Sequence, residues 1–193
     1  IGDGGDALIN GVSILSDRTK AQLALGYLAE GAPLYFDLSV RDFLGFLART
    51  HGLTSAAAKL AIARVAEDAA ITDVISRPID TLSKGYRRRV ALAGSIVHDP
   101  PVLILDEPTD GLDPNQKIAM RALIARMAKQ KAILISTHQL DEVEAMCTRA
   151  VLIARGRKMS RGTAADIAAG RPSGKVEVAF QAQTSHDEVL LET

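Results

Sequence analysis

The run Val102-Leu103-Ile104-Leu105 constrains the fold more than any other segment: four aliphatic residues without a polar break, closed by Asp106-Glu107-Pro108. Such a run suits a strand buried on both faces, the condition of strands in the parallel sheet of an α/β protein. Ligands of these sheets lie outside the carboxyl ends of the strands. Asp106 and Glu107 are therefore delivered to the place where a ligand would sit. One carboxylate can hold a hydrated Mg²⁺ while its neighbour orients or deprotonates a water, the pairing that phosphoryl transfer requires.

Around this strand the pattern alternates between sheet and helix. Asn10-Gly11 inside an apolar stretch predicts a hairpin over 7–14, and residues 23–28 read as a strand. Val40, Phe43, Leu44 and Leu47 recur at helical spacing behind a capping Ser39, and an alanine-rich helix follows over 55–69. A further helix is predicted over 83–97. One more opens at Pro114, a residue suited to a first helical position, and runs to about residue 130. Residues 132–136 repeat the buried-strand pattern, 139–147 read as a short helix, and 150–154 with 158–162 as strands joined at Arg155-Gly156. The alternation predicts an α/β domain over 1–170 with a mostly parallel sheet and a helical insertion at 33–82. After Gly170 the composition changes: Arg171-Pro172-Ser173-Gly174 reads as a linker, 175–183 as a half-buried strand and 187–193 as a helix start. Residues 171–193 are thus expected to begin an accessory segment.

Composition excludes several classes. Lys+Arg and Asp+Glu both number 23, so no net field argues for nucleic acid. The Arg87-Arg88-Arg89 run is read as a solvated helix face. The single cysteine, Cys147, cannot form an internal disulfide and fits a small buried residue in a reducing compartment. No apolar run is long enough to span a bilayer, and no signal-peptide pattern is visible. A membrane role would have to come through a partner.

Three further segments carry chemistry. Leu82-Ser83-Lys84-Gly85-Tyr86 puts a hydroxyl, free amide protons and a positive dipole end at a helix start, which suits a phosphate. Gly111-Leu112-Asp113-Pro114 sets an aspartate at the mouth of the next helix. Ser136-Thr137-His138 ends the second aliphatic strand, placing His138 at the same sheet edge as Glu107, within reach of a terminal phosphate.

In this order the segments resemble the signature motif, Walker B, D-loop and switch histidine of ATP-binding cassette (ABC) ATPases, and Gly26-Tyr27-Leu28-Ala29-Glu30 resembles their Q-loop. The resemblance covers residues 5–162 and implies the P-loop NTPase fold of that family, bound to ATP and Mg²⁺. It implies roles as well. Asp106 would hold Mg²⁺ through water and Glu107 would be the general base. His138 would contact the γ-phosphate. Ser83 and Gly85 would cap the γ-phosphate of a nucleotide held mainly by a second subunit, and Asp113 would act across that dimer interface. Glu30 would be a Mg²⁺ ligand near the nucleotide. The partners implied are a second ABC ATPase subunit, as a homodimer, and membrane-spanning permease subunits. The location implied is the inner face of the cell membrane, bound peripherally from the cytoplasm.

Two departures stand out. Glu30 occupies a position where glutamine is usual, adding negative charge near the triphosphate; some exporter-type members share it, and Pro33-Leu34-Tyr35 and Asp37-Leu38-Ser39-Val40 resemble that branch. No lysine is followed by Ser or Thr, so the Walker A ending Gly-Lys-Ser/Thr is absent from the printed residues. In the family that loop lies upstream of the position of Ile1, and these residues by themselves are not expected to hold a triphosphate tightly. Two alternatives therefore stay open: a form deficient in ATP binding that supplies only a signature face, and an ABC protein outside transport.

Overall fold

The structure, a computed structural model, describes residues 4–31, 33–154, 156–163, 166 and 177–181. The expected hairpin is present: β1 (Leu8–Ile9) pairs antiparallel with β2 (Val12–Ser13), Leu8 opposite Ser13. Asn10 and Gly11 turn it with φ of 49° and 75°, the left-handed pair that a two-residue hairpin loop demands. The strand expected over 23–28 is shorter, because a helix precedes it. Asp17 Oδ1 accepts from Lys20 N at 3.0 Å and opens α1 (Arg18–Leu23), after which β3 spans only Leu25–Leu28.

The remaining strands are β4 (Val102–Asp106), β5 (Ala132–Thr137), β6 (Arg149–Ala154), β7 (Arg157–Gly162) and β8 (Glu177–Gln181). They form a six-stranded sheet in the order β3-β4-β5-β8-β6-β7. β3, β4 and β5 are parallel, in a register that sets Leu28 beside Leu105 and Asp106 beside Ser136. β8 is antiparallel to both β5 and β6, so β6 runs in the direction of β5. β7 returns from β6 as a hairpin. Four of the six strands, β3, β4, β5 and β6, thus run in one direction as the expected mostly parallel sheet requires, and between β5 and β6 the antiparallel β8 realises the strand pattern of 175–183. The linker 171–174 and the helix start at 187–193 lie outside the described residues.

The insertion between β3 and the next sheet strand holds α2 (Val40–Thr50) and α3 (Ser55–Asp68), capped by Ser39 and Thr54. Then come α4 (Lys84–Ile96), α5 (Pro114–Met127) and α6 (Leu140–Met146). α2 turns Val40, Phe43, Leu44 and Ala48 inward, the face its periodicity predicts. Leu44, Ile71 and Ile79 from the insertion join Leu92 of α4 and the sheet residues Leu103, Leu105 and Ile133 in one core. Burial of each such side chain contributes about 2 kcal/mol, and the insertion helices reach this core by packing against α4. Close approach decides one position: a Cβ at Gly26 of β3 would strike Ser95 O of α4 and come within 2.6 Å of the Leu103 side chain and 2.9 Å of that of Pro100. Glycine lets α4 lie directly on β3.

Candidate functional site

The site starts where β4 stops. After Asp106 the backbone turns at Glu107, whose φ of 45° is left-handed, a conformation costing a side-chain-bearing residue about 1 kcal/mol or more. Hydrogen bonds hold the turn: Glu107 N donates to Ser136 O at 3.0 Å, and Asp110 N donates to Glu107 O at 3.1 Å. Because the turn ends the alternation of the strand, both consecutive carboxylates meet the end of β5. Asp106 Oδ1 accepts from Ser136 Oγ. Glu107 Oε2 accepts from Thr137 Oγ1 at 3.3 Å, and Oε1 accepts from His138 N at 3.0 Å and from His138 Nδ1 at 2.6 Å. With Nδ1–H committed to the carboxylate, Nε2 is the nitrogen left for a ligand. The Glu107 side chain is 14% exposed and that of His138 55%, so the carboxylate is sheltered and the imidazole open.

A second group gathers at two helix starts. Ser83 Oγ accepts from Tyr86 N at 3.4 Å and caps α4. Asp113 caps α5, with Oδ1 accepting from Gln116 N at 2.9 Å and its own N donating to Gln116 Oε1 at 3.4 Å. Gly85 lies against the Gln116 side chain, which a Cβ there would strike; the two helix starts abut. Lys84 Nζ stands 3.4 Å from Asp110 Oδ2, an exposed pair that adds little stability. Asp106, Glu107 and His138 therefore form one hydrogen-bonded group with the end of β5, while Ser83, Gly85 and Asp113 gather at the two abutting helix starts. Among the described residues no hydrogen bond joins Glu30 to either. Glu30 is exposed just beyond β3, two residues past Leu28, as Glu107 is two past its neighbour Leu105, so both lie at the same sheet edge.

The reading of Arg87-Arg88-Arg89 as a solvated face fails at its centre: Arg88 is 6% exposed. Its Nη1 donates to Ala29 O at 3.0 Å, its Nε to Pro108 O at 3.3 Å, and its Nη2 to Asp106 O and Glu107 O. Three consecutive helical positions sweep about 200° around the axis, so a triplet on a helix packed against a sheet must turn one member inward. Burial pulls the guanidinium pKa below its usual value, while the nearby Asp110, Asp106, Glu107 and Glu30 oppose that. Glu142 also escaped the sequence reading. Fully buried on α6, it accepts from Arg121 Nη2 at 2.6 Å, Arg121 Nε at 3.1 Å and Lys117 Nζ at 3.3 Å. Burial pushes its pKa up, but Arg121 and Lys117 outweigh that and hold the carboxyl below its usual range. The only signal was two cations one helical turn apart on α5. Their bond to Glu142 ties α6, which follows His138, to the helix that Asp113 caps. Cys147, closing α6, is half-buried and pushed up to about 12 by that burial, so little of it is thiolate at neutral pH.

Among the described residues no cluster of three or more His, Cys, Asp or Glu side chains is assembled around a metal. Mg²⁺ keeps several waters and takes one or two carboxylates together with substrate phosphates rather than an all-protein cage. Asp106, oriented by Ser136, and Glu30 are hard oxygen donors at the right sheet edge.

The chain is similar to known proteins in sequence and in fold. The sequence pattern of the family described as "ABC transporter" matches residues 2–110. The chain is 35% identical over 189 residues to the Escherichia coli (strain K12) protein named "Probable multidrug ABC transporter ATP-binding protein YbhF", covering 95% of this chain and 32% of that protein. It is 35% identical over 161 residues to Nod factor export ATP-binding protein I of Burkholderia orbicola (strain AU 1054), covering 83% of this chain and 53% of that one. The chain therefore spans from a third to about half the length of these curated relatives. Among solved structures, the cbiO1 protein of Clostridium perfringens, described as part of the ABC transporter complex cbiONQ, superposes with a TM-score of 0.69 at 30% identity, over 78% of this chain and 61% of that one. An ATP-binding subunit of an ABC transporter gives 0.73 at 28% identity, over 84% and 68%.

Proposed function

The chain belongs to the ABC transporter family, and from that premise we propose that it is the ATP-hydrolysing nucleotide-binding part of a membrane transporter, with ATP held between two such domains packed head to tail. The observation that carries this reading is the hydrogen-bonded set of Asp106, Glu107, Ser136, Thr137 and His138 at the adjoining ends of β4 and β5.

Glu107, sheltered and fixed by Thr137 and His138, takes the proton of the water that attacks the terminal phosphate. His138 keeps Nδ1–H on Glu107 and, with the ring doubly protonated, donates Nε2–H to that phosphate, so base and phosphate contact share one geometry. Asp106 and Glu30 would hold Mg²⁺, which would neutralise charge on the phosphate oxygens. Ser83, Gly85 and the amide protons opening α4 receive the terminal phosphate of the nucleotide carried mainly by the partner domain. Asp113, at the neighbouring start of α5, faces the same interface.

Among the described residues no helix is long and apolar enough to cross a membrane; in this reading the transport path belongs to membrane-spanning subunits, with this domain peripheral on the cytoplasmic face. The insertion offers them a surface: Tyr35, Phe36 and Phe46 are 57%, 47% and 38% exposed. Tyr35 stands edge-on to Phe46 with centroids 5.6 Å apart, and Arg87 lies over Phe36 at 5.2 Å. Large exposed rings grouped this way suit an apolar helix end of a partner.

The test is Glu107→Gln in the complete gene product. Turnover should fall roughly a thousandfold, the scale of a lost general base, while ATP-induced dimerisation persists. Normal hydrolysis by this variant would refute the assignment.

A further inference from the structure

The residue that holds the base in place lies on neither strand that carries the site. We propose that Arg88 is a positioning residue for hydrolysis: its guanidinium fixes the backbone of Glu107 and locks the loop bearing Glu30 to the same frame. The inference rests on the reading of Glu107 as the general base.

The argument begins with the turn at Glu107. A left-handed φ of 45° in a side-chain-bearing residue persists only where the surroundings over-determine it. The peptide on its amino side is held by Ser136 O. On its carbonyl side, Asp110 N and Arg88 Nη2 converge on Glu107 O. The same Nη2 takes Asp106 O, and Nε takes Pro108 O at 3.3 Å, so the guanidinium spans three successive carbonyls of the turn. A small rotation of this peptide would swing the Glu107 carboxylate away from Thr137 and His138. A misplacement of about 1 Å can cost a hundredfold in rate.

The remaining arm reaches a different segment. Nη1 donates to Ala29 O at 3.0 Å, the residue before Glu30, so the end of β3 and the end of β4 hang from one planar group. Arg88 itself lies on α4, five residues beyond Ser83 and three beyond Gly85, about one helical turn. The helix start that would receive a partner's phosphate, the loop bearing Glu30 and the base are thereby joined through a single side chain. Chemistry explains why it is arginine. Guanidinium presents five N–H groups in a rigid fork and stays charged when buried, whereas an ammonium is a point donor on a flexible stem. Lysine could satisfy one or two of these carbonyls and would leave the others unpaired.

The experiment measures ATP turnover and ATP affinity of the complete gene product as wild type, Arg88→Lys, Glu107→Gln and the double variant, with thermal melts of each. Arg88→Lys should lower kcat roughly a hundredfold with ATP affinity unchanged. In the Glu107→Gln background the further loss should be well under a hundredfold, because the part of its action that runs through Glu107 has nothing left to position and only its hold on the Glu30 loop remains. Near-normal kcat, a fall in affinity equal to the fall in kcat, or full additivity in the double variant would each overturn the proposal. Arg88→Met, which keeps the apolar stem, serves if lysine is not tolerated. If both melt below the assay temperature, Arg88 is a folding residue and the assignment falls. A wild type without turnover would refute the proposed function instead, so the two failures are distinguishable.

Discussion

His98, in the turn that leaves α4, lies face to face with His51 at the end of α2, ring centroids 3.6 Å apart and planes 2° from parallel. Its Nε2 contacts Leu25 O at 3.2 Å; a carbonyl can only accept, so Nε2 carries the proton and Nδ1 is a bare acceptor. Nδ1 of both rings is buried without a partner. Burial, followed by the like charge of His51, brings the His98 pKa from 6.5 to about 4, and burial lowers His51 too. Of the charged groups around the pair, Lys131 opposes protonation of His98 and Asp99 favours it. Arg64 of α3 and Lys131 both bind Asp99, at 2.9 Å and 2.6 Å, and so weaken its help. The folded-state pKa lies below the unfolded one, so the unfolded chain binds more protons between them. The contribution is complete above pH 6.5 and is lost as pH falls towards 4. With pKa values of 6.5 unfolded and about 4 folded, the loss from His98 between pH 7 and pH 5 is about 2 kcal/mol. Urea unfolding at both pH values, on wild type and on His98→Phe, reads this directly. Phenylalanine keeps the ring stack and cannot titrate, so the variant should lose about 2 kcal/mol less on acidification at unchanged m-value. Equal losses in the two proteins, or an NMR titration of His98 centred near 6.5, would refute the reasoning.

Two further substitutions probe how the site is fastened to the fold. Gly26→Ala should destabilise by about 3 kcal/mol, because the new methyl meets the Ser95 backbone of α4, which cannot step aside; an unchanged urea midpoint would contradict the packing of α4 on β3. Glu142→Ala should cost about 3 kcal/mol, the low end for breaking a buried ion pair, since Arg121 and Lys117 are 28% and 25% exposed and can reach water. A change below about 1 kcal/mol, the scale of an exposed pair, would mean that α5 and α6 do not depend on this bond.

The local grammar of the chain was legible in its sequence. Aliphatic runs closed by carboxylates or by Ser-Thr-His mark buried strands of a parallel sheet, and Asn10-Gly11, Ser39, Ser83, Asp113 and Pro114 announce their turns and caps through their own side chains and backbone preferences. Each of these signals acts within a few residues, which is why the order of elements and the site segments could be read in line. α1 escaped because Arg18–Leu23 is short, largely polar and without apolar periodicity, leaving only the Asp17 cap as a clue. Tertiary packing decided what depended on distant partners. The rotation of α4 against the sheet chose Arg88, not Arg87 or Arg89, to enter the interior. The α5–α6 contact buried Glu142 between two cations, and the meeting of α2 with the end of α4 stacked two histidines that looked unremarkable apart. Periodicity shows that a helix has an inward face. Which charged residue can be buried there depends on whether carbonyls or counter-charges from other segments arrive to satisfy it, and the sequence does not record that until the chain has folded.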